Sequence, residues 1–206
     1  MLVLQNLGTE ALPKWHYAVL IGYDAGRNVA ILRSGREPRL EMKWQRFAGT
    51  WHRGGRFALT TLPPDVIPAH AEPGRYLEAA AGLEAAGQRQ AAAAAYDAAI
   101  ARWPEEPLAW LGRGNAALAA GDRAAAADAY LRAIELEPGN VAALNNLAEL
   151  LLEAGCLEES RRQVERAAAL AAGTALEAAV SESRARIRAT ANTVAHCQLE
   201  ERPWPD

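Results

Sequence analysis

A period of 34 residues runs through the back of the chain and restricts its fold more than any other feature. Gly87, Gly121 and Gly155 stand 34 apart, as do Ala92, Ala126 and Ser160, then Tyr96, Tyr130 and Val164, then Ala99, Ala133 and Ala167. Pro104 and Pro138 keep the register, with Ala172 in the third slot, and Tyr76, Trp110 and Leu144 open the three copies. A repeat of this length fits a pair of helices. The glycine ends the first helix, where a left-handed residue is cheapest. The small residues mark a close helix crossing, the rings fill the space between successive pairs, and the proline stops the second helix. One pair cannot bury its apolar face alone, so the units must stack.

These residues resemble the tetratricopeptide repeat (TPR) family. The resemblance places three repeats at 73–106, 107–140 and 141–174. It departs from the family pattern at Ala117, where a large aromatic is usual, and at the missing third proline. A further amphipathic stretch, 175–195, carries Leu176, Val180 and Ile187, with Arg184, Arg186 and Arg188 expected outward. It reads as a capping helix over the last apolar face, followed by a tail at 196–206.

The resemblance implies that the first helices of the pairs line a concave face that holds a protein or an extended peptide. That face would include Leu77, Glu84, Leu111, Asn115, Leu118, Asn145, Asn146 and Glu149. Asn115 and Asn146 match asparagines that peptide-binding relatives use, and an Asn amide offers both donor and acceptor to a peptide backbone. The cationic clamp that holds a terminal carboxylate in such relatives has no counterpart here.

The front of the chain differs in kind. Three prolines within 63–68 break any regular element, so 64–72 reads as a linker. Before it, apolar and β-branched runs at 1–5, 16–23, 28–32, 39–43 and 56–62 predict five strands of a small antiparallel sheet. Trp44, Phe47 and Trp51 lie on one face of a short helix that Gly54-Gly55 would end. The expected fold is therefore α+β: a β half-domain at 1–63, then an all-α solenoid.

Trp15-His16-Tyr17-Ala18-Val19-Leu20-Ile21-Gly22-Tyr23-Asp24 resembles the second half of a papain-like cysteine peptidase, of the bacterial kind that processes bacteriocin leaders. The resemblance implies His16 as general base, with Ser34 at the position of the usual orienting carboxylate and Asn6 as another orienter. The nucleophile is missing. Cys156 and Cys197 are the only cysteines, and neither has the expected Gly-Pro context or a helix N-terminus to lower its pKa. The expectation is thus an inactive, incomplete half-domain. The alternative is a peptidase whose nucleophile lies upstream of Met1 and whose repeats recruit substrate.

Two cysteines do not make a disulfide framework or a metal site, and His52, His70 and His196 stand apart from any metal partner. No cofactor motif occurs. Up to Pro68 there are nine Lys/Arg against five Asp/Glu, and after it thirteen against twenty, a composition difference between two modules. The arginines are scattered, which argues against nucleic acid. No run reaches membrane-spanning length and no signal peptide opens the sequence. The expected location is cytoplasmic, or exported if an N-terminal extension carries a signal. An incomplete sheet leaves an open edge for a second copy to pair with.

Overall fold

The computed structural model describes residues 1–190 together with Cys197 and Leu199; the rest of the predicted 196–206 tail, and residues 191–195 of the predicted cap, lie outside the described residues. The chain divides into two compact units, Met1–Leu62 and the residues from Pro63 onward. The architecture is α+β: one five-stranded antiparallel sheet, then a stacked series of helices.

In the first unit, strands β1 (Leu2–Asn6), β2 (Trp15–Asp24), β3 (Val29–Ser34) and β4 (Glu37–Lys43) precede helix α1 (Trp44–Arg53) and a short β5 (Ala58–Leu59). The sheet order is β4-β3-β2-β1-β5, with every pair antiparallel. The last strand holds two residues rather than the seven expected at 56–62. Trp44, Phe47 and Trp51 share one face of α1 as the spacing predicts, with Phe47 fully buried against Val3, Ala18, Ala30 and Leu32. Gln5 donates to Thr50 Oγ1 at 2.6 Å and ties β1 to the helix. His52 is on the last turn of α1, and its Nδ1 accepts from Arg56 Nε at 3.0 Å.

In the second unit the helices are α2 (Pro73–Ala85), α3 (Arg89–Arg102), α4 (Pro107–Ala119), α5 (Arg123–Leu136), α6 (Val141–Glu153), α7 (Leu157–Ala171) and α8 (Glu177–Ala189). Gly87, Gly121 and Gly155 follow α2, α4 and α6 with φ of 74°, 82° and 79°, the left-handed turn inside each pair. Pro104 and Pro138 lie just past α3 and α5. Asp122 and Asn140 cap α5 and α6 by accepting from Ala125 N and Ala143 N, each at 3.0 Å. The repeated alanines Ala92, Ala126, Ala99, Ala133 and Ala167 are all buried. The odd member, Ser160, is fully buried too, and its hydroxyl donates to Ala148 O at 2.7 Å, which satisfies the polar group across the α6–α7 crossing.

The rings of Tyr96 and Tyr130 lie where a Cβ at Gly112 and Gly114 would be. Small residues in α4 thus admit a ring from the helix on either side.

Two expectations need correction at the end of the array. Leu176 precedes α8 and is partly exposed, because the helix starts one residue later; Val180, Ser183 and Ile187 form its buried face. Arg184, Arg186 and Arg188 are on the solvent side as expected, with Arg186 and Arg188 exposed and Arg184 half-buried, but they are also ion-paired to the array. Arg184 and Arg188 both pair with Glu165 on α7, and Arg186 pairs with Glu149 on α6. The Arg184 guanidinium, then Arg188, hold the Glu165 carboxyl below its ordinary pKa. Second, the cysteines are joined to each other in a disulfide, Cys156 to Cys197, and Cys156 occupies the N-cap position of α7.

Candidate functional site

Helices α4 and α6 carry most of the residues expected to face a ligand. Leu111, Asn115, Leu118, Asn145, Asn146 and Glu149 are all partly buried. Asn115 and Asn146, 31 residues apart in sequence, meet: Asn146 Nδ2 donates to Asn115 Oδ1 at 3.0 Å. Tyr130 OH on α5 donates to the same oxygen, also at 3.0 Å. Burial pushes the Tyr130 hydroxyl up to about 12, so it is a neutral donor across the ordinary pH range. One amide oxygen therefore collects a donor from each of two other helices. The Asn115 Nδ2 group enters none of the described hydrogen bonds and stays available as a donor.

Other members of the expected face are engaged inside the array. Leu77 is 5% exposed in the core with Tyr96 and Ala99, which removes it from any ligand surface. Glu84 accepts from Tyr96 OH at 3.0 Å, and burial together with this carboxylate raises the Tyr96 pKa. Glu149 holds Arg186 through Oε2, while its Oε1 and Asn145 Oδ1, one helical turn apart on α6, are buried with no hydrogen-bond partner among the described residues. Sequence reasoning missed the part played by Tyr130 and Arg186. The register of Tyr130 in the 34-residue period was visible, but its reach to Asn115 depends on how α4 and α5 pack.

In the first unit, His16 lies on β2 and Ser34 ends β3. His16 Nε2 and Ser34 Oγ are 2.6 Å apart, a hydrogen bond across neighbouring strands. Asn6 is not part of this pair. Its Oδ1 accepts from Gly8 N and Lys14 N, both at 2.9 Å, and its Nδ2 donates to Thr9 O at 3.1 Å, so the side chain holds the β1–β2 loop. Among the described residues, no group of three or more His, Cys, Asp or Glu could hold a metal ion. No helix among them is long and apolar enough to cross a membrane.

The geometry of the second unit defines a class first: a solenoid of antiparallel helix pairs in a fixed register. Comparison with known proteins makes the class specific. Residues 77–139 match one tetratricopeptide repeat model and residues 129–162 another. The array is built of tetratricopeptide repeats. No curated protein matches the sequence. Among solved structures, the chain is similar to the Yersinia enterocolitica type III secretion chaperone SycD in complex with a peptide of the translocator YopD, at 20% identity and a TM-score of 0.52, over 59% of this chain and 97% of that one. It is similar to the TPR2B domain of yeast Sti1 in a complex with pHsp70, at 16% identity and a TM-score of 0.52, over 56% and 95%. It is also similar to the first TPR of Spaghetti (RPAP3) bound to the HSP90 peptide SRMEEVD, at 17% identity and 0.52, over 56% and 92%. These likenesses cover the helical part and define its fold.

Proposed function

We propose that the repeat array is a scaffold that binds a protein or an extended peptide along the first helices of its pairs. The observation that carries this is the Asn115–Asn146 pair, braced by Tyr130. Two amides are held rigidly on adjacent pairs with one NH2 group left to donate, an arrangement suited to a peptide carbonyl. Leu111 and Leu118, on the same helix as Asn115, supply apolar contact beside it. Each similar structure above is described with a peptide or a chaperone partner, which is consistent with the same use here. In the domain layout we propose, 1–63 precedes a linker at 64–72, 73–174 form the three repeats and 175–195 the cap.

The test is a peptide-display selection on the full chain, followed by titration calorimetry. Asn115→Ala should weaken selected peptides by ~10-fold or more with an unchanged circular-dichroism spectrum. Selected peptides that bind Asn115→Ala as well as the wild type would place the ligand elsewhere.

The His16–Ser34 contact supports a second reading, in which the first unit supplies a base to a papain-like cysteine peptidase. Ser34 engages Nε2 and leaves Nδ1 to face a thiol from residues outside this sequence. An in-frame Gln…Cys-Gly-Pro segment in the coding DNA before Met1 is the outcome that favours it, and a stop codon close upstream overturns it. The Cys156–Cys197 bridge supports an oxidising compartment in place of the reducing cytoplasm. Thiol alkylation of freshly lysed cells checks this: no labelling after denaturation is expected, and two labelled thiols would refute it.

A further inference from the structure

The two faces of the sheet are unequal in cover but not in composition. One face packs on α1. The other presents Trp15, Tyr17, Val19 and Ile21, at every second position along β2. These residues are 58%, 57%, 37% and 52% exposed. Phe57, whose ring meets Tyr17 edge-on at 6.5 Å, and Leu59 on β5 extend the surface at 45% and 50% exposure. Leu2 and Leu4 are paired with Val19 and Tyr17 on β1, and Ile31 is opposite the bulge at Ile21–Gly22; these fill the gaps and are half-buried. The alternation that places Val3, Ala18 and Leu32 under α1 therefore places a second apolar set on the opposite side.

We infer that this bare face is the interface between two copies of this chain, packed sheet on sheet about a twofold axis near the middle of β2. Three observations select a second copy. The first is area. With ~150–250 Å² for a whole aromatic side chain and somewhat less for an aliphatic one, the six exposed residues offer roughly 500–600 Å² per copy. Two copies then bury about 1,000–1,200 Å² from these side chains alone, enough for a specific interface. A patch of this size is at the upper limit for a monomer that leaves it in water.

The second is the distribution of charge. The apolar set occupies β5, β1 and β2, while Arg33, Arg39, Glu41 and Lys43 lie toward the β4 side, with Arg27 and Arg39 both paired to Glu41. An apolar area flanked on one side by partly neutralised charge lets two copies meet apolar on apolar while the charged side stays in water. The third is the state of the sheet edges. The β4 edge carries Glu37, Pro38 and Arg39, and the β5 edge is two residues long. Short, charged or proline-bearing edges are poor templates for strand addition, so contact through the face is favoured over contact through the edge.

The experiment is sedimentation equilibrium of the full chain from ~1 to ~100 μM. A dimer is expected, and Tyr17→Glu and Ile21→Glu should each raise the dissociation constant at least ~10-fold while leaving circular dichroism unchanged. Leu170→Glu, an equally exposed apolar residue on α7, should leave it unaltered. As a readout that needs no destabilising change, a photo-crosslinking amino acid at position 19 should join two chains. A wild type that stays monomeric throughout this range overturns the proposal. So does a dimer that folded Tyr17→Glu and Ile21→Glu leave intact, or a crosslink at position 19 to some other partner only.

Discussion

Tyr130 and Tyr17 are the same residue under two regimes. Tyr130 in the repeat array is completely buried, its ring against Gly114 and its hydroxyl on Asn115. Tyr17 in the sheet is 57% exposed and touches Phe57. The array puts its rings into sockets made by glycine and alanine on neighbouring helices, and repetition gives each unit a partner of known shape. The sheet unit has a single copy of each strand and one helix to cover it, so half of its apolar surface has no partner within the unit. Periodic sequence supplies both sides of a contact. A single strand supplies one.

The sharpest way to break this contrast is to truncate both rings. Tyr130→Ala should cost ~3–5 kcal/mol, in the range of a large aromatic lost from a core, whereas Tyr17→Ala should change monomer stability by ~0.5 kcal/mol or less. Urea denaturation of each variant below the association concentration measures both, and equal losses would erase the distinction. Next in size is the covalent tie. Cys197→Ser opens a bridge spanning 41 residues and should lower stability by ~2–4 kcal/mol, with the same loss seen when the wild type is unfolded in reductant.

Ala126→Leu and Gly114→Ala come next. Each inserts atoms into a filled crossing and should cost ~1–3 kcal/mol, read as a lowered Tm; an unaltered Tm would contradict the helix register. The last effect is on pH. Unfolded Tyr130 ionises near its ordinary value of 10, the folded hydroxyl only near 12. Between those values the unfolded state binds fewer protons, so stability falls as pH rises from ~10 toward ~12 and the slope vanishes beyond. Tyr130→Phe should flatten that part of an alkaline unfolding curve.

Much of the array could be read in advance because its signals are local and repeated. The glycines fall in left-handed turns and the prolines just past helix ends, each for a reason confined to a few bonds. Ser160 was visible as the odd residue among alanines, but its bond to Ala148 O was not, since the acceptor belongs to another helix. The ion pairs of Arg184, Arg186 and Arg188 were hidden for the same reason. A long cation on an amphipathic helix normally faces water, and only the packing of α8 brings Glu165 and Glu149 within reach. On the expected ligand face, Asn115 and Asn146 come together, whereas Leu77 joins the core. In the sheet, hairpin registers join His16 to Ser34 and commit Asn6 to its own loop.

The order of residues by itself determined the 34-residue rhythm, the turn positions and the first four sheet strands. These follow from backbone preferences and from side-chain spacing of two or 3.6 residues, which act over a turn or a strand. The tertiary structure alone decided that the two cysteines join, which amide oxygen gathers Tyr130 and Asn146, and which sheet face α1 covers. Those outcomes rest on atoms brought together across tens of residues, and nothing in a local pattern states that distance.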